Sequence, residues 1–193
     1  MNPHTVTLVK ALNEFIADGQ RQLPPGKNRA NDLKDVYDNP DLLPMIMVQT
    51  PDGVLYQPGV EKLEEILRRR IHPFIPEVNL GQDIFEDSAV VEQLCLASGG
   101  HVRELLLLMK EALNRADGLP IPTRAVRRAI AETRDTYRRT VEEHQWPILA
   151  KVAKTRTIDN DEDHRDLLFR RCVMEYRFFD DDAVLHVGTM SIP

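Results

Sequence analysis

The chain has 193 residues, of which 42% are hydrophobic, so it can bury one ordinary core or two small ones. Its 31 acidic residues outnumber its 25 lysines and arginines, and the net charge of -6 argues against a protein that coats nucleic acid nonspecifically. The first residues carry no secretory signal pattern, and no apolar run approaches the roughly 18 residues of a membrane span. We therefore expect a cytoplasmic protein with no membrane partner. The two cysteines, which lack metal-ligand spacing, fit a reducing compartment.

The first part of the chain predicts a helix, a polar connection and a short strand. Apolar residues at helical spacing indicate a helix from about Leu8 to Gln22, which the prolines and glycine at 24–26 stop. Residues 27–40 are mostly polar and predict a surface connection. Residues 42–48 read Leu-Leu-Pro-Met-Ile-Met-Val and predict a short buried strand, followed by a turn at residues 51–53.

Three helices are predicted in the middle of the chain. The first runs from Gly59 to Arg70, and the prolines that follow make residues 72–86 a loop, because proline cannot continue a helix. The second covers residues 87–96, and the third carries apolar residues from Leu105 until Gly118. A paired glycine separates these two helices, so they should meet at a tight corner.

The last third of the chain predicts three more helices and a β-hairpin. Residues 119–123 contain two prolines and mark a domain boundary, after which an arginine-rich helix begins. Two shorter helices are predicted at 145–152 and 163–172. In residues 173–187, apolar and polar side chains alternate on both sides of an acidic turn, and this pattern indicates a β-hairpin. Helices closed by a hairpin suggest a winged-helix domain.

The glycine corner carries the sharpest motif, Ser98-Gly99-Gly100-His101-Val102-Arg103-Glu104-Leu105. It resembles the sensor 2 corner in the helical lid of AAA+ and related STAND-type P-loop ATPases, where an arginine reaches the nucleotide phosphates. The resemblance implies that Arg103 is this arginine and that Gly99, Gly100 and His101 belong to the same nucleotide-binding corner. The chemistry is suitable, because a guanidinium donates several hydrogen bonds and a helix N-terminus attracts anions.

The order of the elements agrees with this resemblance. In that family the last strand of the nucleotide core leads through a helix into the lid, and several members carry a winged helix directly after it. The resemblance therefore implies a mainly α fold in three parts. Residues 1–57 would be a remnant of, or connection to, an ATPase core; residues 58–118 would be the helical lid; residues 119–193 would be a winged-helix domain with its hairpin.

The chain departs from the family in lacking the nucleotide core motifs. It has no Gly-x-x-x-x-Gly-Lys-Ser/Thr loop, since position 21 is Arg and Asn28 follows Lys27 in the nearest match. We expect no ATP hydrolysis from this chain alone. Joined to an ATPase core in cis or in trans, it would use ATP or ADP with Mg²⁺, and a protein partner and homo-oligomeric assembly follow by analogy. The alternative is a free-standing winged-helix and helical module that binds a protein or DNA without nucleotide.

The candidate site residues also have plainer interpretations. Arg103 could form a local pair with Glu104 or Glu111 on the helix surface, and His101 could be a helix cap. A later acidic loop resembles a calcium loop only superficially, because His164 replaces the glycine needed at the sixth position. We expect this loop to cap a helix and hold no metal; its acidic residues are Asp159, Asp161, Glu162 and Asp163.

Five arginines are candidates for contact with nucleic acid or protein. Three of them lie on the helix that would enter a major groove in a winged-helix domain. Against DNA, the acidic residues 180–182 stand at the tip of the predicted wing, where phosphates would approach. We therefore favour a protein partner and keep DNA as the second possibility. The five are Arg127, Arg128, Arg165, Arg170 and Arg171.

Overall fold

The computed structural model describes residues 45–50, 52–180 and 183–191, with side chains as far as residue 176. The predicted helix at 8–22 and the polar connection at 27–40 lie outside these residues. The described chain is mainly helical, as predicted. Its helices are α1 (Gln57–Ile71), α2 (Ser88–Ala97), α3 (Val102–Asn114), α4 (Thr123–Thr140), α5 (Trp146–Thr155) and α6 (Glu162–Phe169). Two strands follow, β1 (Val173–Asp180) and β2 (Ala183–Ser191).

The segment predicted as a buried strand lies against the glycine corner. Of residues 42–48, the structure describes 45–48, and Val48 is fully buried. The amide of Ile46 donates to the carbonyl of Gly100 at 3.2 Å, and the Tyr56 amide donates to the carbonyl of Val48 at 2.9 Å. Within the described residues, strand pairing of this segment is limited to one bridge between Gln49 and Leu55, because the chain reverses between these two residues.

Helices α1, α2 and α3 form where apolar periodicity predicts them. Pro58 occupies the first turn of α1, where its missing N–H leaves no bond unmade. Asp87 caps α2 by accepting from the amide of Ala89 at 3.0 Å. The loop predicted at residues 72–86 is confirmed as far as residue 79. Residues Leu80–Ile84 instead form a π-helical turn, which the sequence analysis did not predict. Ile84 at the end of this turn and Phe85 immediately after it are both fully buried.

The first core gathers the inward faces of α1, α2 and α3 and continues into α4. Ile121, which lies in the predicted boundary at 119–123, is fully buried, as are Val126 and Ala129 on the first half of α4. The Ile121 amide donates to the carbonyl of Ile84 at 2.7 Å. Burying Ile or Val side chains contributes about 1.5–3 kcal/mol each, so α4 is held firmly against α1, α2 and α3.

A second, smaller core lies between α5, α6 and the start of β1. Its buried members are Leu149, Val152, Leu167, Cys172 and Val173. Strands β1 and β2 pair antiparallel from the Val173–Ser191 pair to the Asp180–Ala183 pair, with an irregularity between Arg177 and Phe178. The remaining acidic turn residues, 181 and 182, lie outside the described part of the chain.

Candidate functional site

The corner between α2 and α3 is formed by two glycines with positive φ, and it requires a glycine at position 100. Gly99 has φ 58° and Gly100 has φ 76°, the left-handed region in which a side chain is strained. A Cβ on Gly100 would lie 1.7 Å from the carbonyl oxygen of Ile46, which no side chain could tolerate. The corner therefore has a structural reason for its glycines that is independent of any ligand.

The polar groups of residues 98–100 are satisfied internally. The Ser98 hydroxyl donates to the carbonyl of Cys95 at 2.7 Å and accepts from the Gly100 amide at 3.2 Å. The carbonyl of Gly99 accepts from the buried Tyr176 hydroxyl of β1 at 2.8 Å, and burial raises the pKa of Tyr176. Segment 45–50, the helical corner and β1 are thus joined at two neighbouring carbonyls.

His101 is the N-cap of α3, as the plainer interpretation predicted. Its Nδ1 accepts from the Glu104 amide at 3.2 Å, so the neutral ring carries its hydrogen on Nε2. Burial, and then the charges of Arg171 and Arg103, lower its pKa to about 4. His101 is therefore uncharged at physiological pH and contributes no positive charge to an anion site.

Arg103 is exposed in the first turn of α3. It makes neither of the local ion pairs considered above, because Glu104 accepts from the Tyr137 hydroxyl at 3.0 Å and Glu111 pairs with Arg115 at 2.6 Å. Within the described residues, the amides of Val102 and Arg103 have no hydrogen-bond acceptor. The start of α3 therefore presents two N–H groups and an uncompensated guanidinium, as an anion site requires.

Arg171 adds a second cation close to this helix start. It adopts φ 62° in the turn that joins α6 to β1, and its charge acts on both His101 and Tyr137. Arg103 and Arg171 also lie along one shallow groove between α3 and α4. The sequence analysis placed Arg103 in the glycine corner and Arg171 on a separate contact surface. The return of β1 to the corner brings the two arginines close together.

A cavity of about 430 Å³ lies between α2, α3, α4 and β1, and it was not predicted from the sequence. Its lining is largely apolar, and it includes the buried carboxylate of Glu104 together with Tyr137. Burial and the Glu104 charge raise the pKa of Tyr137 to about 12. The available signal was Glu104 itself, an acidic residue on a helix face that is otherwise apolar. Cavity residues include Gln49, Leu96, Leu108, Arg127, Ile130 and Met174.

The other four arginines that were predicted to contact nucleic acid or protein differ in the ion pairs and hydrogen bonds that they make. Arg170 pairs with Asp166 and Glu142 and donates to the Thr140 carbonyl at 2.7 Å, so it fastens α6 to the end of α4. Arg128 pairs with Glu132 at 2.9 Å. The exposed Arg165 donates to the Asp161 carbonyl at 3.1 Å, and Arg127 is exposed at the rim of the cavity.

Helix α6 presents acidic and aromatic groups to the solvent. It follows Asp159 and Asp161 and begins with Glu162 and Asp163. At its other end, Phe169 is 74% exposed. The predicted capping role of the acidic loop is confirmed at Asp161, which accepts from the His164 amide at 2.9 Å.

No described helix has the length and apolar character required to span a membrane. Comparisons with protein-family models, curated proteins and solved structures find no significant match to this chain.

Proposed function

We propose that this chain is the C-terminal coupling region of an AAA+ or STAND-like ATPase. In this proposal α1, α2 and α3 form a nucleotide-sensing lid, and α4, α5, α6, β1 and β2 form a winged-helix domain. The chain would not be catalytic alone. It would acquire a role in ATP turnover through a P-loop core, supplied in cis or in trans.

The observation that carries the proposal is the exposed guanidinium of Arg103 beside two amides without acceptors at the start of α3. A nucleotide phosphate would bring the negative charge that this arrangement lacks. Arg103 would bind it as a bidentate donor, and the nearby Arg171 would add attraction at longer range. The carboxylate of Glu104, the next residue in the chain, opposes an anion here, and the hydrogen bond that it accepts from Tyr137 offsets only part of its charge.

The packing of the corner supports a coupling role for this arginine. The Gly100 carbonyl accepts a hydrogen bond from the Ile46 amide in segment 45–50, and the Gly99 carbonyl accepts one from the Tyr176 hydroxyl of β1. A displacement of α3 that followed binding at Arg103 would therefore act on both neighbours at once. Packed elements transmit small shifts in this way because interiors have little free volume.

The winged-helix part of the proposal has its support in the order of three helices followed by an antiparallel pair of strands. In such domains the third helix, here α6, is the recognition helix. The N-terminal turn of α6 is acidic, which would repel DNA phosphates, whereas Phe169 near its end is suited to an apolar contact. We therefore infer a protein partner for this domain.

ATP turnover of the chain assembled with its P-loop core tests the lid role. Arg103→Ala should lower kcat by roughly 10²–10³-fold, the scale of losing one preorganised donor to developing charge. Arg124→Ala removes an exposed arginine from the start of α4 and should leave turnover unchanged. Equal turnover in wild type and Arg103→Ala would remove Arg103 from the mechanism.

The second candidate is a free-standing module that binds a protein or DNA without nucleotide. The exposed Phe169 and the cavity beside Glu104 favour it, since neither needs an ATPase core. The encoding reading frame and the intact mass of the native protein separate the two candidates. A Gly-x-x-x-x-Gly-Lys-Ser/Thr loop ahead of residue 1 would support the ATPase proposal, and a native chain that starts at Met1 would favour the module.

A further inference from the structure

His164 in the first turn of α6 is a buried side chain with only half of its hydrogen-bonding capacity used. The side chain is 6% exposed, and its Nδ1 lies 2.7 Å from Oδ1 of Asp161. That same oxygen also accepts from the His164 amide. Because a carboxylate can only accept here, Nδ1 must carry the hydrogen, and the neutral ring then presents a lone pair at Nε2.

The Nε2 atom is buried and has no hydrogen-bond partner in the described part of the chain. Its closest acidic neighbour is Oδ2 of Asp159, at 3.8 Å. Two acceptors that face each other without a donor between them are unfavourable, and an unsatisfied buried nitrogen adds to that cost. A cation between the two atoms would remove both problems.

We infer that the loop from Asp159 to His164 is a binding site for a divalent transition metal, with Zn²⁺ as the best fit. His164 would supply Nε2 and Asp159 would supply Oδ2, and water would complete the coordination. Imidazole with carboxylate suits zinc, whereas calcium and magnesium prefer oxygen alone. Asp161 would hold the ring in place through Nδ1, the arrangement that usually accompanies a metal-bound histidine.

The distance between the two ligand atoms is compatible with this metal after a small movement. Bond lengths of about 2.0–2.2 Å place two tetrahedral ligands roughly 3.3–3.5 Å apart. The observed separation is 3.8 Å, and Asp159 is 56% exposed, so its carboxylate can move inward. All three residues offer a ligand atom within 4.8 Å of the others.

Lys151 on α5 is the internal competitor for this site. Its ammonium lies 2.7 Å from Oδ2 of Asp159, the oxygen assigned to the metal, and its side chain is 57% exposed. Metal binding must displace this ammonium, which can swing into solvent at little cost. The site therefore makes a specific prediction: removal of the lysine should strengthen metal binding even though it removes an ion pair.

Titration of the full chain, stripped of metal with a chelator, with ZnCl2 tests the inference by calorimetry and by thermal unfolding. We expect one saturable site and a rise in Tm of roughly 5–10 °C when zinc exceeds the Kd about 100-fold. Asp159→Asn should weaken binding by about tenfold or more, by analogy with the loss of a metal-supporting group. Lys151→Met should tighten it about two- to fivefold.

Asp135→Asn is the matched control, since it removes an exposed acidic residue of α4 that pairs with Arg139, and it should bind zinc as wild type does. Co²⁺ provides a second readout, because a nitrogen ligand should alter its visible absorption in wild type and less so in His164→Gln. Equal zinc affinity in wild type and Asp159→Asn would overturn the inference. The inference would also be overturned if no saturable binding were seen and the stability rose only on acidification. That result would mean that a proton, and not a metal, bridges Nε2 of His164 and Oδ2 of Asp159.

Discussion

Helices α3 and α6 both begin beside a histidine, and the two histidines have opposite surroundings. His101 is the cap of α3, accepts a backbone hydrogen bond and lies near two arginines. His164 lies within the first turn of α6, donates to its cap Asp161 and faces Asp159. The same residue type therefore accepts a hydrogen bond beside arginines at one helix start and donates one beside carboxylates at the other. Position relative to the cap and neighbouring charge together account for the difference, since His101 is itself a cap and His164 is bonded to one.

The two helix starts also differ in what holds them. The α3 start is fastened by distant segments, through Ile46 and Tyr176, and lies against the larger core. The α6 start is held by nearby residues, including Lys151, and lies against the smaller core. Substitutions at the α3 corner should therefore cost more stability than substitutions at the exposed acids of the α6 loop.

The largest effect should come from Gly100→Ala at the α3 corner. The added Cβ would meet the Ile46 carbonyl at 1.7 Å while the backbone stays at φ 76°. Strain and overpacking together should lower the free energy of unfolding by about 3 kcal/mol. Gly118→Ala is the control, because nothing lies within 4 Å of its Cβ position. Urea denaturation measures both, and equal losses would contradict the close approach at the corner.

Tyr176→Phe should have the next largest effect. It leaves the buried Gly99 carbonyl without its 2.8 Å donor, which should lower the free energy of unfolding by about 1.5–2 kcal/mol. Tyr56→Phe is a suitable comparison, since the Tyr56 hydroxyl makes no hydrogen bond within the described residues. This substitution should change the free energy of unfolding by less than about 0.5 kcal/mol. If thermal unfolding ranks the two variants the other way, the link between β1 and the corner is unimportant.

His101 should make stability depend on pH in the acidic range. Its pKa of about 4 in the folded chain lies below the ordinary value, so between these values the folded state binds fewer protons than the unfolded state. The contribution of neutral His101 is complete above about pH 6.5 and is lost as the pH falls toward 4. Because the ring is only half-buried, solvent screening reduces the expected loss to roughly 1–1.5 kcal/mol.

His101→Asn isolates this contribution, because asparagine caps a helix but does not titrate in this range. Denaturant unfolding at a series of pH values should give a shallower fall in stability for the variant than for wild type. The difference between the two curves belongs to His101, since the other acidic and histidine groups are common to both. Parallel curves would show that the α3 start does not exclude a charged ring.

Arg103→Ala should have the smallest effect on stability, within about 0.5 kcal/mol, because the side chain is exposed and makes no ion pair within the described residues. This small effect is what separates a ligand-binding arginine from a structural one. A loss above 1 kcal/mol in the same urea experiment would mean that Arg103 supports the fold. Any change in ATP turnover could then no longer be read as lost phosphate contact.

The helices were predictable because their signals are local. Pro58 and Asp87 mark helix starts by chemistry that acts within one turn, and apolar periodicity carries each helix onward. The π-helical turn at Leu80–Ile84 was missed because no short pattern distinguishes it from a loop. Its shape depends on burial of Ile84 and Phe85 against residues that come much later in the chain.

The candidate site was predictable only in part for the same reason. The position of Arg103 in the first turn of α3 follows from the glycine corner, and the capping role of Asp161 follows from the acidic loop. The proximity of Arg171 to His101 does not follow, because it depends on β1 returning to the corner. The burial of His164 depends in the same way on how α5 and α6 pack together.

The bond between Tyr176 and Gly99 spans 77 residues and has a consequence for how the chain folds. Helices α1, α2 and α3 can form and collapse from local contacts, but the Gly99 carbonyl gains this partner only when β1 arrives. During synthesis, residue 176 must leave the ribosome before the corner is complete. The corner between α2 and α3 therefore completes its hydrogen bonds only after all six helices have been synthesised.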